Sequence, residues 1–117
     1  MFAYRHLNVT DIGEVTVVRF LGPRICEDID VQEFGSEMFS LVENDKPEKL
    51  LLNLSMVEFL GSTALGKLIN LHQKVKAQGG VLKLSNIRPN VYDVFAVVKL
   101  NRLFDIKEDE SDALAAF

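Results

Sequence analysis

The hydrophobic positions in the first half of the chain predict two strands, a helix and a third strand. Apolar and polar residues alternate over residues 4–9 and 14–20, and the segment Asp11-Ile12-Gly13 between them is typical of a hairpin turn. Asp28 or Asp30 is available as the N-cap of a helix whose apolar positions have helical spacing: Val31, Phe34, Met38, Leu41 and Val42. After a break at residues 46–47, the apolar run 50–54 indicates a strand buried on both faces.

The second half of the chain alternates helices with strands. A helix from Ser62 to about Gln78 is expected to end at Gly79-Gly80, which supplies a left-handed stop. Its apolar stripe consists of Ala64, Leu65, Leu68, Leu71 and Val75. Residues 81–84 predict a strand, a helix begins at Pro89, and residues 103–106 predict a last strand. Residues 111–117 predict a terminal helix, whose start is favoured by the acidic residues 108–110.

This order of elements predicts the α/β fold class. Strands that alternate with helices form parallel sheets with right-handed crossovers. The first strand must instead run antiparallel at the edge, because a turn of two to four residues cannot make a parallel crossover. We therefore expect one domain of 117 residues with about four helices. Its sheet is expected to be mixed and mostly parallel, with about five strands and an antiparallel N-terminal edge strand.

Composition and charge narrow the classes of function. The formal net charge of −4 and the absence of a basic run argue against direct binding of nucleic acid. A single cysteine, Cys26, cannot form an internal disulfide, and the chain starts without an apolar leader. No apolar stretch approaches the roughly 20 residues that cross a bilayer. We therefore expect a cytoplasmic protein that does not insert into membranes.

Two adjacent hydroxyl groups at the predicted start of a helix are the main candidate chemistry. Ser62 and Thr63 follow a buried strand, and a helix start offers unpaired N–H groups and a positive dipole end to an anion such as phosphate. The simpler interpretation is that Ser62 caps the helix, and the spacing alone favours that cap. His6, His72 and Cys26 have no partners at the spacing of a metal site or catalytic triad. We therefore expect no metal, no cofactor and no enzymatic activity.

The same segment also resembles a nucleotide-binding loop in part. Residues 61–67 fit the first seven positions of the pattern G-x-x-x-x-G-K-[ST], in the required place between a strand and a helix. The eighth position is Leu68, which has no hydroxyl to hold Mg²⁺. Ala64 and Leu65 belong to the apolar stripe, which predicts a segment that is already helical rather than a loop wrapped around phosphate.

Three segments together resemble the STAS domain, the family of anti-sigma factor antagonists, also called anti-anti-sigma factors. Residues 51–66 include Leu52-Asn53-Leu54-Ser55 and Gly61-Ser62-Thr63-Ala64-Leu65-Gly66, which are similar to the family's L-D-L-S strand and D-S-S-G-L-G helix start. Residues 84–95 are similar to the next strand-to-helix segment of the family, and residues 100–106 to its closing strand. The likeness covers nearly the whole chain in the family's order.

The resemblance implies a regulator of transcription that works by partner switching. In that family, the STAS domain binds an anti-sigma factor that is a serine/threonine kinase of the histidine-kinase-like ATPase type. The kinase phosphorylates the domain and the two separate, and a phosphatase restores binding. By position, the phosphorylated hydroxyl falls on Thr63, with Ser62 beside it. The implied partner-binding residues are Gly61, Ser62, Thr63, Ala64, Leu65 and Asn90.

Three departures from the family pattern keep alternatives open. Asn53 replaces the Asp of L-D-L-S, Gly61 replaces the Asp before the hydroxyl pair, and Ala64 replaces the Gly after it. This erosion of the phosphorylation motif favours a constitutive binding module that is not phosphorylated, such as the STAS-like subunit that supports the ATPase of an ABC-type lipid transporter. A nucleotide-binding enzyme is the third hypothesis, and a titration with labelled ATP or GTP tests it.

Overall fold

A five-stranded mixed sheet forms the centre of the computed structural model, which describes residues 7–21, 24–25 and 28–117. Its strands are β1 (Leu7–Ile12), β2 (Val15–Phe20), β4 (Lys49–Asn53), β6 (Val81–Ser85) and β7 (Asp105–Lys107). A separate pair of two-residue strands consists of β3 (Arg24–Ile25) and β5 (Phe59–Leu60). His6 and Cys26 lie outside the described residues, as do the side chains of Asp28, Asp30 and Val31.

The sheet has the predicted topology. Its strand order is β1-β2-β4-β6-β7, in which β1 runs antiparallel to β2 and the other neighbours are parallel. The hairpin register pairs Leu7 with Phe20 and Ile12 with Val15, so the turn consists of Gly13 and Glu14. Gly13 has a φ of +61°, a conformation that glycine adopts without steric cost. The α/β fold class and the antiparallel edge strand are therefore confirmed.

In the described part of the chain, four α-helices cover the two faces of the sheet. They are α1 (Asp28–Asp45), α2 (Ser62–Ala77), α3 (Pro89–Val97) and α4 (Glu110–Ala115), and a short 3₁₀ helix spans Leu100–Arg102. The larger core contains residues of α1, α2 and α3 packed on one face, including Met38, Leu68 and Phe95. On the other face α4 packs Ala113 against Val17 and Leu51. Among the described residues, no helix is long and apolar enough to cross a membrane.

The end of α2 follows the sequence prediction closely. Gly79 has a φ of +81°, and its N–H donates to the carbonyl of Lys76 at 3.0 Å. The next N–H, from Gly80, donates to the carbonyl of Val75 at 2.9 Å. This pair of bonds is a Schellman motif, which satisfies two carbonyl groups at the end of the helix.

Several predicted boundaries differ from the observed elements. The strand predicted at 50–54 ends at Asn53, although Leu54 stays buried and its N–H donates to the carbonyl of Ser85 at 3.0 Å. The last strand is Asp105–Lys107 instead of 103–106, because the chain first forms a 3₁₀ turn at Leu100–Arg102. The terminal helix begins at Glu110, where the carboxylate of Asp109 accepts the N–H of Asp112 at 2.9 Å.

Candidate functional site

Helix α2 begins without a side-chain cap. Gly61 is the N-cap residue in an extended conformation (φ −81°, ψ 166°), and its carbonyl accepts the N–H of Leu65 at 3.1 Å. Ser62 is already the first helical residue, so the prediction that Ser62 caps the helix is wrong. Glycine can occupy the cap position because it adopts the extended conformation freely, but it has no side-chain acceptor. The first N–H groups of α2 therefore lack a side-chain acceptor at the cap.

The hydroxyl pair is exposed while the two residues that follow it are buried. Ser62 and Thr63 lie on the exposed side of the first turn. The side chains of Ala64 and Leu65 are only 0 % and 6 % exposed and belong to the core. Because each step along a helix turns the side chain by about 100°, the predicted partner-binding residues Ala64 and Leu65 face the core, whereas Ser62 and Thr63 face solvent. Their burial fixes the position of the exposed pair.

The loop between β4 and α2 is anchored by buried apolar residues, and exposed apolar residues lie between them. Leu54, Val57 and Leu60 are buried, whereas the side chains of Met56 and Phe59 are 53 % and 45 % exposed. A turn closes the start of this loop, where the N–H of Val57 donates to the carbonyl of Leu54 at 2.9 Å. The loop thus presents apolar surface immediately before the hydroxyl pair.

Two side chains near the start of α3 bind the same loop. Asn90 Nδ2 donates to the carbonyl of Glu58 at 2.8 Å, and Arg88 Nε donates to the carbonyl of Ser55 at 3.0 Å. Asn90 is exposed, yet its amide already positions the loop. We call the group formed by the half-buried Gly61 and the exposed residues Phe59, Ser62, Thr63 and Asn90 the α2 entry surface.

A polar network lies at the end of β4, behind the loop. The side chain of Asn53 is only 7 % exposed; its Oδ1 accepts the N–H of Ser55 at 2.9 Å, and its Nδ2 donates to Glu110 Oε1 at 3.1 Å. Arg19 Nη2 donates to both carboxylate oxygens of Glu110, at 2.7 and 2.9 Å. Sequence patterns do not predict this network, because it joins residues 19, 53 and 110 across three elements.

The segment that resembles a nucleotide loop is helical from Ser62 onward. Its lysine, Lys67, packs against α1: a Cβ atom built on Gly35 would lie 3.3 Å from Lys67 Cδ. The prediction that this segment is helix rather than wrapped loop is confirmed. In the described part of the chain, no group of three or more His, Cys, Asp or Glu residues could hold a metal ion.

Comparisons with known proteins identify related chains. The sequence model of the STAS domain matches residues 6–113. A Thermotoga neapolitana protein with the provisional name of an anti-sigma factor antagonist is 32 % identical over 81 residues, which cover 69 % of this chain and 72 % of that protein.

Two solved structures have nearly the same fold over most of their length. A STAS domain protein from Planctomyces limnophilus has a TM-score of 0.83 at 26 % identity and covers 94 % of this chain and 95 % of its own. An anti-sigma factor antagonist from Mycobacterium paratuberculosis also has a TM-score of 0.83 at 26 % identity, with 94 % and 91 % covered.

Proposed function

The chain belongs to the STAS domain family, and from this premise we propose that it is an anti-sigma factor antagonist. It binds an anti-sigma factor through the α2 entry surface and so releases a sigma factor. The names of its relatives support this function. One observation supports the assignment of the binding surface to particular residues: Ser62 and Thr63 are exposed in the first turn of α2. The next two residues, Ala64 and Leu65, are buried in the core and hold this turn in place.

We further propose that phosphorylation of Thr63 controls this binding, with Ser62 as the alternative acceptor. The anti-sigma factor is then itself the serine/threonine kinase, of the histidine-kinase-like ATPase type, and a phosphatase reverses the modification. Exposure allows a kinase to reach both hydroxyl groups. The start of α2 has no side-chain cap, and its backbone N–H groups and positive dipole end accommodate the new charge.

The expected energies separate an effect on binding from an effect on folding. A phosphate adds about −1.5 to −2 charge at neutral pH. At a helix start a negative charge is favourable by about 0.3 to 2 kcal/mol, so the domain itself stays folded. In a close-packed interface an unpaired charge costs about 3 to 5 kcal/mol. Since about 1.4 kcal/mol corresponds to tenfold in affinity, phosphorylation is expected to weaken the complex by at least about a hundredfold.

Replacement of Thr63 tests the docking surface directly. We expect Thr63→Glu to weaken binding of the anti-sigma factor by at least about tenfold in calorimetry, because it places a charge in the contact. Thr63→Val keeps the shape without the hydroxyl and is expected to bind normally. The matched control is Asn70→Glu on the same helix, whose side chain is exposed further along α2. An unchanged dissociation constant for Thr63→Glu would contradict the proposed surface.

The kinase reaction is tested separately. Incubation with the anti-sigma factor and ATP, followed by mass spectrometry, is expected to add one phosphate to the intact chain and none to Thr63→Val. Phosphate that persists in Thr63→Val and disappears in Ser62→Ala would move the site to Ser62. The absence of any phosphate, together with normal binding, would contradict the switch and leave the antagonist function standing.

A constitutive binding module is the second candidate function. It is favoured by the loss of both carboxylates of the family pattern: the cap is Gly61, and the other position holds Asn53, whose buried amide donates to Glu110. Such a module would support the ATPase of an ABC-type lipid transporter. Co-purification with that ATPase, unaffected by Thr63→Glu, selects this function over the first.

A further inference from the structure

A cleft outside the α2 entry surface lies between the second half of α2 and the sheet edge at β6 and β7. Its volume is about 320 Å³, within the range of roughly 300 to 1,000 Å³ that is typical of small-ligand sites. Its apolar lining consists of Val81, Leu82 and Leu103. Val81 and Leu103 are 48 % and 42 % exposed, so the cleft has an apolar lining open to solvent.

The charged lining of the cleft is positive. Lys76, Lys83 and Asp105 contribute two positive charges and one negative charge, a sum of +1 in a chain whose net charge is −4. The carboxylate of Asp105 is already engaged on both sides, since Lys83 Nζ donates to its Oδ2 and Lys107 Nζ lies 3.2 Å from its Oδ1. Within the described residues, Lys76 forms no ion pair. It is therefore the lysine available to an incoming anion.

His72 adds a polar group to the same wall. Its ring packs edge-to-face on Phe104 with 5.2 Å between centroids, and its Nδ1 is shielded from water without a hydrogen-bond partner in the described part of the chain. Burial, and next the charge of Lys76, lower the pKa of His72 below its ordinary value. The lowered pKa favours the neutral ring, so His72 adds no third positive charge to the wall. Titratable groups with lowered pKa values beside an apolar cleft are a common feature of binding sites.

We propose that this cleft binds a small monocarboxylate with a short apolar body. The carboxylate lies at Lys76, next to the ring of His72, and the hydrocarbon part covers Val81, Leu82 and Leu103. A neutral apolar ligand would leave the excess positive charge without a partner. A larger polyanion would not match a single excess charge. This site is independent of the proposed antagonist function, because none of its residues belongs to the α2 entry surface.

Titration with sodium hexanoate at pH 7 tests this proposal. Binding is measured from the shifts of backbone amide signals in two-dimensional NMR. We expect saturable shifts at Val81, Leu82 and Leu103. Acetate, which lacks the apolar body, is expected to bind about tenfold more weakly, and so is the uncharged hexanamide. The pKa of His72, followed through its ring protons, is expected to rise on saturation with hexanoate, because a nearby anion stabilises the imidazolium.

Two lysine variants make the test specific. Lys76→Gln is expected to weaken hexanoate binding about threefold, the effect of losing one exposed ion pair. Lys74→Gln removes the same charge from the same helix but contacts Glu43 outside the cleft, and is expected to bind hexanoate normally. The proposal is overturned if the shifts do not saturate, if hexanamide binds as well as hexanoate, or if both variants weaken binding equally. Thr63→Glu is expected to leave hexanoate binding unchanged, so failure here is distinct from failure of the antagonist function.

Discussion

The replacement of Asn53 by aspartate tests whether the polar network behind the site requires an amide. Asn53 is a buried residue, only 7 % exposed, and its Nδ2 lies 3.1 Å from Glu110 Oε1. In Asn53→Asp the side chain keeps nearly the same shape, but a carboxylate oxygen replaces the Nδ2 group that donates to Glu110. It keeps the acceptor that binds the N–H of Ser55. The substitution therefore changes one interaction and very little packing.

The size of the effect follows from the geometry. Loss of a hydrogen bond to a charged acceptor costs about 1.5 to 3 kcal/mol. Two unit charges 3 Å apart repel by about 5 kcal/mol at an effective dielectric constant near 20. Arg19, 2.7 Å from Glu110, offsets much of this repulsion, and the side chains of Arg19 and Glu110 are 34 % and 25 % exposed. We expect Asn53→Asp to lower the free energy of unfolding by about 2 to 4 kcal/mol at pH 7.5.

The pH dependence gives the effect a distinct signature. In the folded variant, the neighbouring Glu110 raises the pKa of the new carboxyl group above its unfolded value. The variant is therefore fully destabilised at pH values above this raised pKa. The destabilisation decreases as the pH falls below the raised pKa, because the new carboxyl group then binds a proton in the folded state but not yet in the unfolded state. Urea denaturation followed by circular dichroism at pH 7.5 and 4.5 measures the difference. Asn70→Asp, at an exposed position on α2, is the control for added charge.

A second substitution provides the rescue. In the double variant Asn53→Asp, Glu110→Gln, the new amide can donate to the new carboxylate. It is expected to recover at least half of the lost stability, although the contact of Arg19 is weakened. A stability of Asn53→Asp equal to that of the original chain would refute the reasoning. So would a double variant that is no more stable than the single one.

Three further substitutions test the framework that holds the site. Gly80→Ala is expected to destabilise the domain by about 1 to 3 kcal/mol, because its Cβ would lie 2.9 Å from the carbonyl oxygen of Pro47. Gly66→Ala, in the interior of α2 with no atom within 4 Å of the new Cβ, is instead expected to stabilise it by about 0.5 to 1 kcal/mol. Asp109→Ala removes the cap of α4 and is expected to cost about 1 kcal/mol. Urea midpoints check all three, and Gly66→Ala being as unfavourable as Gly80→Ala would contradict the steric argument.

The order of the elements could be predicted from the sequence because it depends on local periodicity. The apolar run before Asn53, the helical stripe from Ala64 to Val75 and the glycines at its end each mark one element independently. Strand β5 could not be predicted, since two residues carry no periodicity and Phe59–Leu60 is defined only by pairing with β3. The 3₁₀ turn before β7 could not be predicted either, because its three residues are too few to show a periodicity.

The candidate site was predictable only in part. The position of the hydroxyl pair at a helix start follows from local pattern, but the choice of cap does not. Both Gly61 and Ser62 are acceptable N-cap residues, and the backbone selects Gly61. Family position predicts Ala64 and Leu65 as partner-binding residues, whereas the helical stripe predicts them in the core. The stripe proved correct, because burial of these side chains is what anchors the helix start.

Under the proposed function, this division of the first turn predicts that a chemical change at Thr63 alters binding without altering the fold. The residues that fix α2 are buried, and they lie on the side of the helix opposite to the exposed hydroxyl pair. A negative charge at Thr63 meets water and the positive end of the helix in the free domain, but it meets a desolvated surface in a complex. Thr63→Glu is therefore expected to keep the urea midpoint of the original chain while it loses the partner. Loss of both together would place Thr63 among the residues that hold the fold, and the switch would then be one of folding.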